Sequence, residues 1–169
     1  QGQHDITELG VTSVNDQFNC QEKSLDDVNL ERFVEQVQLA ENYTTEVCPA
    51  ASGLIASLAQ ALKKGVLLMI DYGFARAEYY HPQRRQGTLM CHYRHYSHDN
   101  PLLYLGLQDI TAHVDFTRIA EAGINHGLTL EGFTTQAQFL INAGIMQLLE
   151  AANQDSSQVY LPVVAAVQK

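Results

Sequence analysis

Bases are scarce in this sequence: ten Lys and Arg stand against nineteen Asp and Glu, a net charge of -9 over 169 residues. The broad positive field that nucleic-acid binding needs is missing, so nucleic acid is not an expected partner. Only three cysteines occur, Cys20, Cys48 and Cys91, far apart and without a C-x-x-C pair. That argues against a disulfide framework or a cysteine zinc site and points to a reducing compartment. The four prolines are scattered, marking no linker between domains, and no repeat or low-complexity tract is present. No apolar run approaches the ~18 residues of a membrane span. The sequence opens at Gln1 without a charged-then-apolar leader, so no signal peptide is expected and the chain reads as a piece of something longer. Three catalytic devices are missing as well: G-x-S-x-G, the P-loop and G-x-G-x-x-G. Nucleophilic hydrolase, nucleotide hydrolase and self-contained dinucleotide-binding readings therefore lack their chemistry.

What is present is one domain's worth of chain, 46% hydrophobic, too apolar and too modestly charged for a disordered segment. Charge is uneven. Residues 1–50 hold ten acids and two bases, residues 51–115 five acids and six bases, and residues 116–169 four acids and two bases. The middle third also carries six of the eight tyrosines and five of the seven histidines. A chemical centre is expected there.

Residues 5–21 alternate loosely around Asn15 and Asp16, the pattern of an antiparallel hairpin. Ser24 and Asp27 have the shape of a capping box. They precede Leu30, Phe33, Val34 and Val37, one stripe of a helix. A second helix is expected from Ala51, Leu54, Ile55, Leu58 and Leu62, closing on Lys63, Lys64 and Gly65 with cations and glycine at its negative end. Residues 66–70, Val-Leu-Leu-Met-Ile, follow as five consecutive apolar positions, which predicts a strand buried on both faces of an α/β sheet. Residues 74–114 show little regular pattern and read as a functional loop. Beyond them Asp115 caps an expected helix ending near Gly127, a strand is expected at 128–133, and helices at 136–143, 145–152 and 159–168.

Ligands of open α/β sheets bind outside the carboxyl ends of strands. Asp71 stands there, with Tyr72 and the permissive Gly73 behind it. Asp71 reads either as a carboxylate over a ligand or as a loop acid serving local backbone N–H groups. Asp109, Thr111, His113 and Asp115 alternate with Ile110, Ala112, Val114 and Phe116, so an extended backbone places four polar groups on one face. Two carboxylates flanking a histidine can position a proton or a substrate cation. The bland alternative is a capping Asp115 and a histidine satisfied locally. His92, His95 and His98 recur every third residue, but this spacing does not match helical zinc ligands, and no metal is expected.

Four strings carry a family resemblance: GVLLMIDYGF (65–74), RRQGTLMCHYRH (84–95), DNPLLYLGLQDITAHVDF (99–116) and GLTLEGFTTQAQFLINAGI (127–145). Over roughly residues 44–145 the chain resembles the MidA family of class I methyltransferases, which use S-adenosylmethionine. Where that family usually shows Pro-Gly, Leu105 and Gly106 stand here, a change in a turn. The resemblance implies an α/β, Rossmann-like methyltransferase fold of which this chain is the C-terminal half with an incomplete sheet, residues 1–169 forming one fragment and 74–114 a substrate-side cap. Residues 66–70 then resemble the family's fifth strand and 128–133 its sixth. The glycine-rich cofactor loop and the ribose-binding acid lie outside the chain, so no residue here is assigned to the cofactor.

The family's mitochondrial members methylate arginine on a respiratory complex I subunit. The resemblance therefore implies a protein substrate and an arginine nucleophile, with Asp109, His113 and Asp115 as catalytic candidates and Asp71, Tyr72, Gly73 and Thr111 on the substrate side. Association of copies through exposed sheet edges is expected. A bacterial cytoplasm or a mitochondrial matrix is the expected location. The competing reading is a non-enzymatic module whose loop 72–104 docks a protein or single-stranded RNA.

Overall fold

A computed structural model describes residues 6–155, with side chains as far as Ala151; the helix expected at 159–168 lies outside them. The chain divides into two compact units, Gln1–Thr129 and Leu130–Lys169. The architecture is α/β, assembled from short pieces.

The first unit opens with strands β1 (Thr7–Val14) and β2 (Gln17–Ser24), paired antiparallel from Thr7 opposite Ser24 to Val14 opposite Gln17. Asn15 and Asp16 take φ of 51° and 59°, the left-handed pair that a two-residue hairpin turn requires. Leu9, Val11 and Phe18 share one face of this ribbon, and all three are exposed. Helix α1 (Val28–Val37) follows, capped by Asp27, whose Oδ1 accepts from the N–H groups of Asn29 and Leu30 at 2.8 and 3.2 Å. Ser24 is not the cap, because its backbone is held in the last pair of the β ladder. The expected apolar stripe of α1 is the half-buried one, Leu30, Phe33, Val34 and Val37.

Helix α2 (Pro49–Ala61) starts on a proline, which gives up a donor that the first turn cannot use. Its Ile55 and Ala59 are buried where α2 packs on helix α4 (Phe116–Asn125), with Ile55 close to Gly123. Leu54, expected on the same face, is instead exposed.

The strand expected at 66–70 is not formed. The run is exposed at Val66, Leu68, Met69 and Ile70, and among the described residues no backbone hydrogen bond reaches 66–71. An apolar run favours extended backbone, but a strand exists only with a partner ladder, and no described segment supplies one. Pairing starts three residues later, where β3 (Gly73–Phe74) runs parallel to β7 (Val114–Asp115). The strand expected at 128–133 is also not formed, and the stretch straddles the boundary between the two units.

The stretch 74–114 is less irregular than its sequence suggests. It holds the single-turn helix α3 (Arg76–Tyr79), and a three-stranded antiparallel sheet of β4 (Met90–Tyr93), β5 (Tyr96–His98) and β6 (Asp109–Thr111) in the order β5-β4-β6. Arg94 and His95, at φ 48° and 70°, make the tight turn between β4 and β5. In the second unit, Thr135 caps helix α5 (Gln136–Asn142), and Gly144 at φ 91° separates it from helix α6 (Ile145–Asp155).

Two measurements test this packing. Amide exchange at 66–71 should run near the rate of an unstructured peptide while α2 and α4 are protected; slow exchange at 66–71 would show a ladder that this fold lacks. Tyr79 and Tyr80 pack edge to face at 4.7 Å, and burial pushes both hydroxyls above the ordinary tyrosine value. Each folded tyrosine holds its proton more tightly than the unfolded one, so its stabilising effect is complete below about pH 10 and is lost as pH rises further. Urea melts in that alkaline range should show stability falling with pH, with a shallower slope in Tyr80→Phe; equal slopes would exclude the burial effect.

Candidate functional site

The parallel pair β3–β7 puts Tyr72 and Gly73 next to the His113 segment. Tyr72 O accepts from the N–H of Val114 at 2.9 Å, and Gly73 faces Val114 in register. A Cβ on Gly73 would sit 2.2 Å from Val114 O and 2.8 Å from the Phe116 ring. Glycine is therefore demanded by this close approach rather than by a turn.

His113 is half-buried, and its ring meets Phe74 edge to face at 5.0 Å. The Arg84 guanidinium lies over the same Phe74 ring, 4.0 Å from its centre. The His113 N–H donates to Thr88 Oγ1 at 3.0 Å, and its buried Nδ1 has no hydrogen-bond partner. Thr88 is itself gripped by a residue that the sequence did not single out. Glu46 Oε2 accepts from Thr88 N and Oγ1 at 2.9 and 3.0 Å, and Glu46 Oε1 accepts from Leu89 N at 3.1 Å.

Asp115 is the one buried charged residue among those described, 9% exposed. Its Oδ1 accepts from Arg118 N at 3.1 Å as the cap of α4, and its Oδ2 lies 3.7 Å from Arg76 Nε. Arg76 in turn forms a fork with Glu121 at 2.8 and 2.5 Å, and that hydrogen bonding is the main reason its guanidinium is held charged beyond its ordinary range. The capping role read from sequence is thus present, and the carboxylate is engaged within the protein.

The remaining candidates are more open. Asp109 begins β6, exposed and opposite His92 of β4. Thr111 is exposed too and donates its hydroxyl to Met90 O at 3.3 Å. Asp71 is exposed, with Oδ1 accepting from Tyr72 N at 2.7 Å, and Tyr72 is 82% exposed. The structure joins Tyr72 and Gly73 to the His113–Asp115 stretch directly and ties Asp109 and Thr111 to it through β4.

The histidine triplet does not converge. His98 pairs with Cys91 across the ladder, so His92 projects from the opposite face and His95 sits in the turn. Among the described residues no three His, Cys, Asp or Glu side chains are grouped to hold a metal ion. The aromatic faces of the expected docking loop are partly used internally: Tyr93 stacks on Tyr104 at 4.4 Å with Arg94 over its ring.

The sequence model of a family described as S-adenosyl-L-methionine-dependent methyltransferases matches residues 1–134. The chain belongs to this methyltransferase family. Two crystal structures from Burkholderia thailandensis are similar to it, each at 43% identity and TM-score 0.89 over 96% of this chain. One was solved with S-adenosyl-homocysteine bound; the other is a native structure of an uncharacterised protein of the same superfamily. The chain spans 42% and 44% of the length of these two proteins. No curated protein matches it.

The described residues do not by themselves form a cradle for S-adenosylmethionine. Such a cofactor rests on a glycine-rich turn between a strand and a helix. Here β7 passes straight into α4 through the capping Asp115, and the space beside Gly73 is filled by Val114 and Phe116. No helix of the described residues is long and apolar enough to cross a membrane. Calorimetry on this chain should accordingly find S-adenosylmethionine binding weaker than about 100 μM, less than ~5.5 kcal/mol. Low-micromolar binding would show that the chain holds a cofactor site of its own.

Proposed function

We propose that this chain supplies the substrate-facing part of an S-adenosylmethionine-dependent methyltransferase whose nucleophile is an arginine of a protein. The family match and the likeness to a protein that holds S-adenosyl-homocysteine support the reaction class. The observation that carries the substrate-facing role is the parallel pair β3–β7, which sets His113 beside Tyr72 and Gly73 at the start of β3.

A guanidinium needs carboxylates to orient it and to disperse its charge, and Arg76 shows this protein doing so internally with Glu121 and Asp115. Asp115 is committed to Arg76 and to the cap of α4, so its share is to hold the His113 segment in place. Asp109 and Asp71 are the exposed acids left to meet an incoming arginine. Such a substrate fits the MidA reading, in which a respiratory complex I subunit in the mitochondrial matrix, or a bacterial protein in the cytoplasm, is methylated.

Transfer of labelled methyl groups to arginine, measured in a protein of the relatives' full length, tests this reading. Asp109→Asn should lower turnover by about 100-fold with little change in melting temperature, the scale of losing a positioned acid–base or orienting group. Asp115→Asn keeps a capping oxygen and should show lost stability from the missing charge beside Arg76, while Asp115→Ala should lose about 1 kcal/mol more with the cap. Unchanged turnover in Asp109→Asn would remove that acid from the site, and methyl label on a residue other than arginine would overturn the choice of nucleophile.

A further inference from the structure

Glu46 lies outside every motif of the central region, just ahead of α2, yet its side chain reaches Thr88 and Leu89, 42 and 43 residues away. We propose that Glu46 is a positioning residue of the methyl-transfer site, acting through Thr88 to hold His113 beside Gly73 at the start of β3. This rests on the reading of His113 as part of that site and adds the residue that places it.

The hydrogen bonds form a relay. Thr88 Oγ1 accepts from the backbone N–H of His113 and donates to Glu46 Oε2, with the Tyr79 hydroxyl also within hydrogen-bond reach of the Thr88 side chain. That carboxylate takes two further donors, Thr88 N and Leu89 N. With three donors on its two oxygens it is fitted to hold a loop rather than to take a proton from a substrate. The loop is shaped to receive it. Gly87 sits at φ 73°, and a Cβ there would come within 2.3 Å of Glu46 Oε1. Glycine at this position therefore answers both a left-handed backbone and the approach of a carboxylate.

Glu46 is fixed from behind as well. The Tyr43 hydroxyl donates to His81 O at 3.1 Å, Thr44 N donates to Arg85 O at 2.9 Å, and the hydroxyl of the buried Tyr79 donates to Glu46 O at 3.3 Å. These bonds stitch the strip before α2 to the loop 81–89 and leave the Glu46 side chain little freedom. The fixed order is then Glu46, Thr88, the His113 amide, and the His113 ring on Phe74.

The test uses the 169-residue chain with labelled histidine and follows the His113 ring signals by NMR. Thr88→Ser keeps the hydroxyl and should leave them in place. Thr88→Val keeps the shape without the hydroxyl, and Glu46→Ala removes its acceptor; both should move the His113 signals toward the positions they take in urea. Tyr43→Phe breaks a neighbouring tie without entering the relay and should not move them. Unmoved His113 signals in folded Thr88→Val would overturn the relay, and this variant serves even if Glu46→Ala fails to fold. In a protein of the relatives' full length Thr88→Val should lower kcat by up to about 100-fold, the scale of a small misplacement at a reacting centre, with KM for the methyl donor unchanged. Displaced His113 signals with an unchanged kcat would uphold the relay and overturn the role given to His113, so the two failures are told apart.

Discussion

Burial of one carboxylate organises the centre of the first unit. Asp115 has lost most of its water, and a buried charge is tolerated only where hydrogen bonds and an opposite charge replace that water. The replacements come from two directions. The first turn of α4 offers the Arg118 N–H, and α3 offers the Arg76 guanidinium. Arg76 cannot leave, because Glu121 on α4 holds its other edge, and the ring of Phe33 on α1 lies 5.6 Å from Arg76 and 4.4 Å from Arg118. Three helices and a strand are thereby oriented around one side chain, and the direction in which β7 enters α4 follows from it. With β7 fixed, Gly73 has one place to pair.

A second carboxylate does for the loop what Asp115 does for the helices. The strands of the central stretch are two to four residues long, too short to be stable as ladders alone. Long-range bonds between side chain and backbone stand in for ladder length, and the three donors gathered by Glu46 are the densest group of them. The two acids meet at the segment between them, since His113 is tied by Glu46 through Thr88 on one side and Asp115 follows two residues later.

Elements governed by neighbours along the chain were legible in the sequence. The Asn15 and Asp16 turn, the stripe on α1 and the Asp115 cap each depend on residues within about four positions, where periodicity and capping chemistry act. Elements governed by partners were not. The run 66–70 has the composition of a buried strand, but composition selects extended backbone and cannot supply the neighbour that makes a ladder. The stretch 128–133 likewise forms no strand. Ser24 and Asp27 read as a capping box, but the β ladder holds Ser24 and Asp27 caps the helix itself. Of the candidate site, the polar alternation around His113 could be read; its support could not, because Glu46 is separated from Thr88 by 42 residues and no local pattern links them.

The same distinction bears on what the unit leaves open. Gly73 and Phe74 pair tightly enough with β7 that no Cβ fits at the glycine, while the five apolar residues just before them have no backbone partner among the described residues. The chain thus passes from a run with no backbone partner to a closely packed pair within three residues. The packed end is where Tyr72 and Gly73 adjoin His113, and its geometry is held by bonds internal to the unit: Tyr72 to Val114, His113 to Thr88, Thr88 to Glu46. The proposed substrate-facing geometry therefore does not depend on a partner for 66–70, whereas burial of that apolar run does. The geometry around His113 and completion of the sheet are separable demands on this sequence, and the described residues meet the first.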